Sequence, residues 1–402
     1  MFVSSPFVNS PFVSPFNNTP FVAPAQPKPQ PEQPRELSLP RVINYLADYS
    51  GCGHWRIIWP EQILNANQQM VSQSNTCMVF DPRWYENVKA VKIQRQATSE
   101  QKRFIEYLKS IQKQHNFKLI YEVDDVVFKE CIPDYNRFKF AFDTNEVRQN
   151  CIDIINMVDE VTVTCDYMRD LYREKTGKQE ITVIPNFPPF FWMGYLFNHS
   201  RICNNLDKYY KKPRILYTGS GAHYDVENKT GGKDDFEHVL KAIIDTRHKY
   251  QWVFMGAFPP PLLPYVKSGE IEFHPWQPLY AYPKKIYDLN INLMIAPLQD
   301  NPFNRAKSDI KYIEACILGI PVICQDICTY KDAMLKFNSG EELLEKIAST
   351  LKNKPKYRVM STEMRKIGET RFLESAENVG CVYESYMTPY NSSERKYLKK
   401  WN

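Results

Sequence analysis

The residues best placed to do chemistry lie in "NPFNRAKSDIKYIEACILGIPVI", Asn301 to Ile323, a run that reads as a helix followed by a strand. Lys307, Lys311 and Glu314 fall at i, i+4 and i+7, so one helical face carries two like charges a single turn apart. Such a pair repels, and cations in a first helical turn also oppose the macrodipole. Asn304 is the expected N-cap, which puts Arg305 and Lys307 in that first turn. Ala306, Ile310, Ile313 and Ile317 form the stripe expected to be buried, with the charged stripe about 100° around the helix. A phosphate would reconcile the two lysines, because it uses free backbone N–H groups, the dipole and both cations together. Glu314, two turns deeper, is then placed to accept hydrogen bonds from a ribose. The plainer alternative is a solvated charged face with a Lys311–Glu314 pair.

Three loops offer further candidates. "YTGSGAHYDVENKTGGKDDF" follows a strand and precedes a helix, and Gly219, Gly221, Gly231 and Gly232 let its main chain approach a phosphate. Gly219, Ser220, His223 and Lys233 are its candidate contacts, although it is neither a Walker motif nor GxGxxG, and His223 or Lys233 could equally be a surface residue. In "SGCGHW", Gly51, Gly53 and His54 follow the first strand, where a backbone comes close to a substrate. "EVDDVVF" sets Asp124 and Asp125 at a strand's carboxyl end, where paired acids bind a metal, orient a hydroxyl or cap the next segment. With no further ligands around them, no metal site is expected.

These loops need a scaffold of alternating elements. From Arg41 the chain reads as strand "RVINYLA", a helix through Leu64, strands "TCMVF" and "AVKIQRQ", and a helix from Ser99 to His115 capped by Ser99. Strand "KLIYEVDD", a helix near Glu146–Met157, strand "EVTVTC", a helix from Asp166 and strand "ITVIPN" complete a first series. A second series runs "RILYTGS", a helix from Asp234 to Lys249, "QWVFMGA", "IEFHPW", a helix around Tyr280–Asp288, "INLMIAPL", the lysine-bearing helix and "PVICQD". Strands separated by helices predict parallel sheets, so the fold class is α/β with two Rossmann-like domains. The expected divisions are 41–190, a linker at 191–212, 213–360, and C-terminal helices at 361–402, with a return of the last helix to the first domain as one expected route. Ligands in such sheets sit beyond the carboxyl ends of the strands. The aromatic stretch Phe187–Phe197 is too short to span a membrane and is expected to pack in the hinge.

Residues 1–40 differ. A Pro-Phe step recurs at Pro6, Pro11, Pro15 and Pro20, then gives way to "AQPKPQPEQP". Proline at this density prevents ladders, so a disordered Pro/Phe-rich arm with a polyproline-like spacer is expected. The repeats suit either several weak copies of a docking motif for an unknown protein partner or a drifting low-complexity tail.

The 402 residues, 43% hydrophobic and 24% charged, are globular in composition and long enough for two cores. A net charge of +5 is too small to single out nucleic acid. Ten cysteines without a CxxC pair point to reduced thiols in a cytoplasmic protein rather than a zinc or disulfide framework. No apolar run reaches membrane-spanning length, and "MFVSSPFV" lacks the basic start of a signal peptide.

Taken in order, "SGCGHWRIIWP", "IQRQ" with "YEVDD", "VTVTCDYM" with "TVIPN", "GSGAHY" and "APLQDNPFNRAKSDIKYIEACILGIPVI" resemble a GT-B glycosyltransferase of the retaining group related to family 4, phage and bacterial members above all. The resemblance spans Arg41 to about Asp326. It implies a nucleotide-diphosphate sugar held by the second domain, an acceptor held by the first, and transfer with retention without a bound metal. It also implies that no cofactor beyond the donor substrate is needed. The second acid of the family's Glu-x7-Glu motif matches Glu314, while the first falls at Ala306, so that carboxylate is missing and Asn304 or Lys307 is left to replace it. Lys307 and Lys311, with Ser308 nearby, match the diphosphate contacts; Asp124, Asp125 and His54 are candidates for the acceptor. The acceptor is then a glycan, a protein or, if the chain is viral and works in a host cytoplasm, a hydroxymethylated DNA base. A sugar-nucleotide epimerase, or a binding protein recruited by its arm, are the competing readings.

Overall fold

Short apolar strands that alternate with helices settle into two wholly parallel sheets, because each crossover needs a helix to cover a face. The computed structural model describes residues 38–95, 97–142, 144–192, 206, 211–227 and 229–401. The Pro-Phe arm, and the part of the aromatic stretch beyond Trp192, lie outside the described residues. The first sheet holds β1 (Arg41–Tyr45), β2 (Val71–Asn75), β3 (Val88–Gln94), β4 (Lys118–Val123), β5 (Glu160–Val163) and β6 (Ile181–Val183), in the order β2-β1-β3-β4-β5-β6. The second holds β7 (Arg214–Gly219), β8 (Gln251–Gly256), β9 (Glu272–Pro275), β10 (Leu293–Ala296), β11 (Val322–Gln325) and β12 (Lys336–Phe337), in the order β12-β11-β10-β7-β8-β9. Both belong to one compact unit, Leu39–Asn402. The expected pair of Rossmann-like domains in a GT-B arrangement is what the chain adopts.

The helices are α1 (Trp59–Ala66), α2 (Ser99–His115), α3 (Asn145–Met157), α4 (Asp166–Thr176), α5 (Leu240–Thr246), α6 (Leu263–Lys267), α7 (Tyr282–Asp288), α8 (Pro302–Arg305), α9 (Ile310–Leu318), α10 (Gly340–Lys352), α11 (Lys354–Thr370) and α12 (Ala376–Met387). One turn, Gly51–Gly53, and a π turn, His54–Ile58, run straight into α1. Helix α12 lies against the first sheet: Lys118 Nζ reaches the carbonyls of Ser385 and Thr388 at 2.7 and 2.9 Å, and Tyr386 Oη reaches Asn44 Oδ1 at 3.1 Å. Among the described residues no helix is long and apolar enough to cross a membrane, and the cysteines are free thiols.

Four sequence expectations need correcting. The second strand is Val71–Asn75, not "TCMVF". It is an edge strand with little apolar content, anchored instead by Ser72 and Ser74 hydroxyls on Glu61 at 3.1 and 2.7 Å. Helix α2 is capped by Thr98 in a reciprocal box with Gln101, not by Ser99. The helix expected from Asp234 begins only at Leu240, because Asp234 accepts from the backbone N–H groups of Asp225 and Phe236. The lysine-bearing helix is broken. Asn301, not Asn304, caps the single turn α8, and α9 starts at Ile310 after a kink at 306–309.

Candidate functional site

A cleft of about 320 Å³ opens between the carboxyl ends of the two sheets. The first domain lines it with Gly51, Arg56, Asp124 and Asp125, and the second with Gly219, Ser220, His223, Lys307, Ser308, Lys311 and Glu314.

The break between α8 and α9 builds the second-domain side. Asp309 occupies the N-cap of α9, yet its carboxylate makes no cap hydrogen bond, because Arg371 Nη1 draws it away at 3.1 Å. The start of α9 therefore lacks a side-chain cap, and its first residues, Ile310 and Lys311, line the cleft, an arrangement that suits an anion. Ser308 Oγ accepts from Asn186 Nδ2 at 2.8 Å and keeps its own proton to donate. Lys307 lies in the kink with its ammonium 4.3 Å from the centre of the Phe303 ring, and the Lys311 ammonium lies 5.6 Å from the centre of Tyr217.

No ion pair joins Lys311 to Glu314, so the plainer solvated-pair alternative is not what forms. Desolvation pushes the Lys311 pKa below the ordinary lysine value, with the Lys307 charge adding to the effect. Burial raises that of Glu314, against the 2.8 Å hydrogen bond donated by Tyr282 Oη and the charge of Lys311. A cation and a carboxylate that are both short of solvent favour a ligand able to supply a phosphate to one and a hydroxyl to the other.

On the first-domain side, the Asp124 side chain is almost wholly covered and its pKa is raised by that desolvation, against Arg95 at 3.3 Å. Its Oδ1 has no hydrogen-bond partner. Gly51 is open on its Cβ side, and Asp125 Oδ1 accepts from the backbone of Val126. Arg56, in the π turn, bridges the sheet to the segment that follows β6: its Nε meets Glu122 Oε1 at 2.8 Å and its Nη1 meets Asn186 Oδ1 at 2.9 Å. Asn186 thus connects Arg56 to Ser308, across the two domains. Arg56, Asn186, Asp235 and Tyr282 carried no sequence signal, since their partners are mostly far away in the chain.

Four expected residues lie outside the cleft lining. A Cβ at Gly53 would meet the Asp48 carbonyl at 1.9 Å, so this glycine admits its own loop rather than a substrate. His54 Nδ1 sits 2.9 Å from the Ser50 carbonyl, and its ring packs edge-on between Trp59 and Tyr280. Lys233 is exposed. The loop around it is closed by the Asp225 carboxylate, which accepts from the backbones of Lys229, Thr230 and Gly232 and so fills the expected phosphate cradle. Asn304 is buried and donates to Tyr135, Asp235 and the Gln299 carbonyl. Ala306 is buried too, among the first domain's core residues with Phe303, and its carbonyl accepts from Cys165 Sγ at 3.4 Å. The position of the missing acid therefore faces the other domain, not the cleft. Within the described residues no group of three or more His, Cys, Asp or Glu is placed to hold a metal ion.

No protein-family model matches the sequence, and no curated protein sequence matches it. Solved structures match the fold. The chain is similar to HepE from Anabaena in complex with UDP-glucose (TM-score 0.55, 9% identity, 86% of this chain and 98% of that one). It is also similar to a glycosyltransferase from Rickettsia africae ESF-5 (TM-score 0.56, 13% identity, 88% and 100%). At these identities the likeness establishes a shared two-domain fold over nearly the whole of each neighbour.

Proposed function

We propose that the chain is a glycosyltransferase that moves a sugar from a nucleotide-diphosphate sugar to an acceptor hydroxyl. The observation that carries this reading is the uncapped start of α9, with Lys311, Lys307 and Ser308 around it and Glu314 one turn deeper in the same cleft. In this reading the diphosphate lies on the α9 N–H groups and the lysines, and Glu314 receives the ribose hydroxyls. The neighbouring HepE binds UDP-glucose within the same fold, which supports the assignment of donor class.

The chemistry proposed is transfer with retention and without a resident metal. The bond from the anomeric carbon to the diphosphate oxygen breaks while a bond to the acceptor oxygen forms on the same face. The acceptor proton passes to the departing phosphate, and the cations and helix terminus stabilise the charge that develops there. In this reading Asp124 and Asp125, just beyond the end of β4, orient the acceptor hydroxyl. The acceptor classes proposed remain a glycan, a protein or a hydroxymethylated DNA base.

The test is calorimetric binding of UDP-, GDP-, ADP-, CDP- and dTDP-sugars, followed by release of the nucleoside diphosphate. At least one donor should bind, and Lys311→Ala and Glu314→Ala should each weaken it. If none binds, the reading fails. Mass spectrometry of cellular glycans and DNA, with and without the gene, then separates the acceptors.

A further inference from the structure

His223 and Asp235 form a pair that the diphosphate contacts leave unused. Asp235 Oδ2 lies 2.6 Å from His223 Nδ1. Its Oδ1 accepts from Tyr135 Oη at 2.7 Å, Asn304 Nδ2 at 2.7 Å and the Gln299 backbone at 2.9 Å. Against the penalty of burial, these donors and the imidazole hold its carboxyl below the usual range, so it is ionised. An ionised acid at Nδ1 fixes the ring proton there and leaves a lone pair on Nε2. The His223 side chain is 9% exposed and lines the cleft, and among the described residues no group hydrogen-bonds its Nε2. Burial and the nearby Lys311 and Lys307 ammonium groups push its pKa down to about 4, which keeps the ring neutral.

A neutral ring with its lone pair outward repels phosphate oxygens and attracts a hydroxyl. Three hydroxyl sources could enter this cleft. The ribose has Glu314, and the acceptor faces Asp124 and Asp125 of the first sheet. The sugar part of the donor has no carboxylate from the second domain, because Ala306 is turned into the interdomain core. His223, at the end of the turn Gly221–His223 that follows β7, brings to that side a ring acceptor aimed at the cleft, beside the hydroxyls of Ser220 and Ser308.

We propose that His223 Nε2 accepts a hydrogen bond from a hydroxyl of the transferred sugar, and that Asp235 is the positioning residue that fixes its tautomer. The proposal rests on the nucleotide-sugar reading above and narrows it. Tyr135 comes from the first domain, so the Asp235 carboxylate gains its full set of donors only when the two domains meet. Recognition of the sugar is thereby tied to a closed cleft.

The experiment uses the full chain, the best-binding donor of the panel, its nucleoside diphosphate, and analogues of that donor each lacking one sugar hydroxyl. The wild type should bind one deoxy analogue about tenfold more weakly than the parent. His223→Phe should bind the parent about tenfold more weakly and lose that preference, while nucleoside diphosphate affinity changes by less than about threefold. His223→Gln, which presents an amide oxygen, should restore part of the preference if it reaches the same hydroxyl, and Asp235→Asn should weaken the parent without weakening the diphosphate. The proposal is overturned if His223→Phe and His223→Gln leave the parent-to-analogue ratios unchanged, or if they weaken diphosphate and donor alike. If no nucleoside diphosphate or donor binds the wild type, the nucleotide-sugar reading itself falls, and this proposal with it.

Discussion

In the second domain both faces of the sheet are apolar: Leu216, Val253, Met294 and Val322 are buried on one side, and Ile215, Phe254, Ile295 and Ile323 on the other. One face of the first sheet matches them, through Ile43, Val91, Leu119 and Val161. Its other face buries Lys92, Glu122 and Glu160 outright, with Lys118 mostly covered. Glu122 is met by Arg56, by the Thr162 hydroxyl at 2.5 Å and by Lys92 at 3.7 Å; Glu160 is met by Arg395, Thr182 and Lys118. Lys92 lies 4.2 Å from the centre of the Tyr386 ring of α12. An apolar face accepts any apolar cover, whereas a face of fixed charges accepts only a cover that matches it. The second domain instead keeps its desolvated charges at the strand ends, in the cleft.

The contrast can be broken most sharply at Glu160. Glu160→Ala leaves Arg395 and Lys118 buried without their anion, and should cost about 3–5 kcal/mol in urea denaturation. Ile295→Val in the second sheet should cost about 1 kcal/mol. Equal losses would remove the distinction between the faces.

A second test concerns the charge at the cleft. The folded state holds the His223 pKa near 4, below its unfolded value of about 6.5. The stability this contributes is complete above the unfolded value and is lost as pH falls toward the folded one, by about 3 kcal/mol at most. His223→Gln should flatten stability between pH 6.5 and 4, measured by denaturation at each pH. A curve unchanged by the substitution would show that the ring does not resist protonation.

Next comes Lys311. Lys311→Ala should weaken nucleoside diphosphate binding by roughly ten- to a hundredfold without lowering the melting temperature, since a desolvated cation is removed. The wild-type affinity should already fall as pH rises through roughly 8 to 10, because the free protein loses the Lys311 proton below the usual lysine range while bound phosphate retains it. A flat pH profile would sink that account. The smallest effect belongs to the helix termini: Thr98→Ala should cost about 1 kcal/mol, and Ser99→Ala less than half of that.

Much of the fold was legible because strand and helix periods differ, and β3, β4, β5, α2 and α4 lie where the pattern puts them. The failures have local causes. Strand β2, "VSQSN", hides its type because serines rather than apolar residues hold it, and α5 is shortened because Asp234 and Asp235 are engaged by loops and by the other domain. At the cleft, Lys307, Lys311 and Glu314 were readable from helical spacing even though the helix breaks between them, whereas Ser308 was named only through the family resemblance. Glycines were less informative: Gly53 serves its own loop, and the Gly231–Gly232 turn is filled by Asp225. Arg56 could not have been found, since its partner Asn186 lies 130 residues away.

Arg395 meets Thr182 across 213 residues, and the entire second domain is synthesised between them. During synthesis the part of that face around Glu160 and Lys92 must therefore wait, uncovered, until α12 and Arg395 emerge, although Trp55, Trp59 and Leu64 already cover Val42 and Ala90. A bare apolar face would be a hazard in that interval, because exposed hydrophobic surface on an unfinished domain promotes aggregation. Lysines and glutamates hold water while they wait. A face that is costly to bury at the end of folding is thus well suited to being exposed at its beginning.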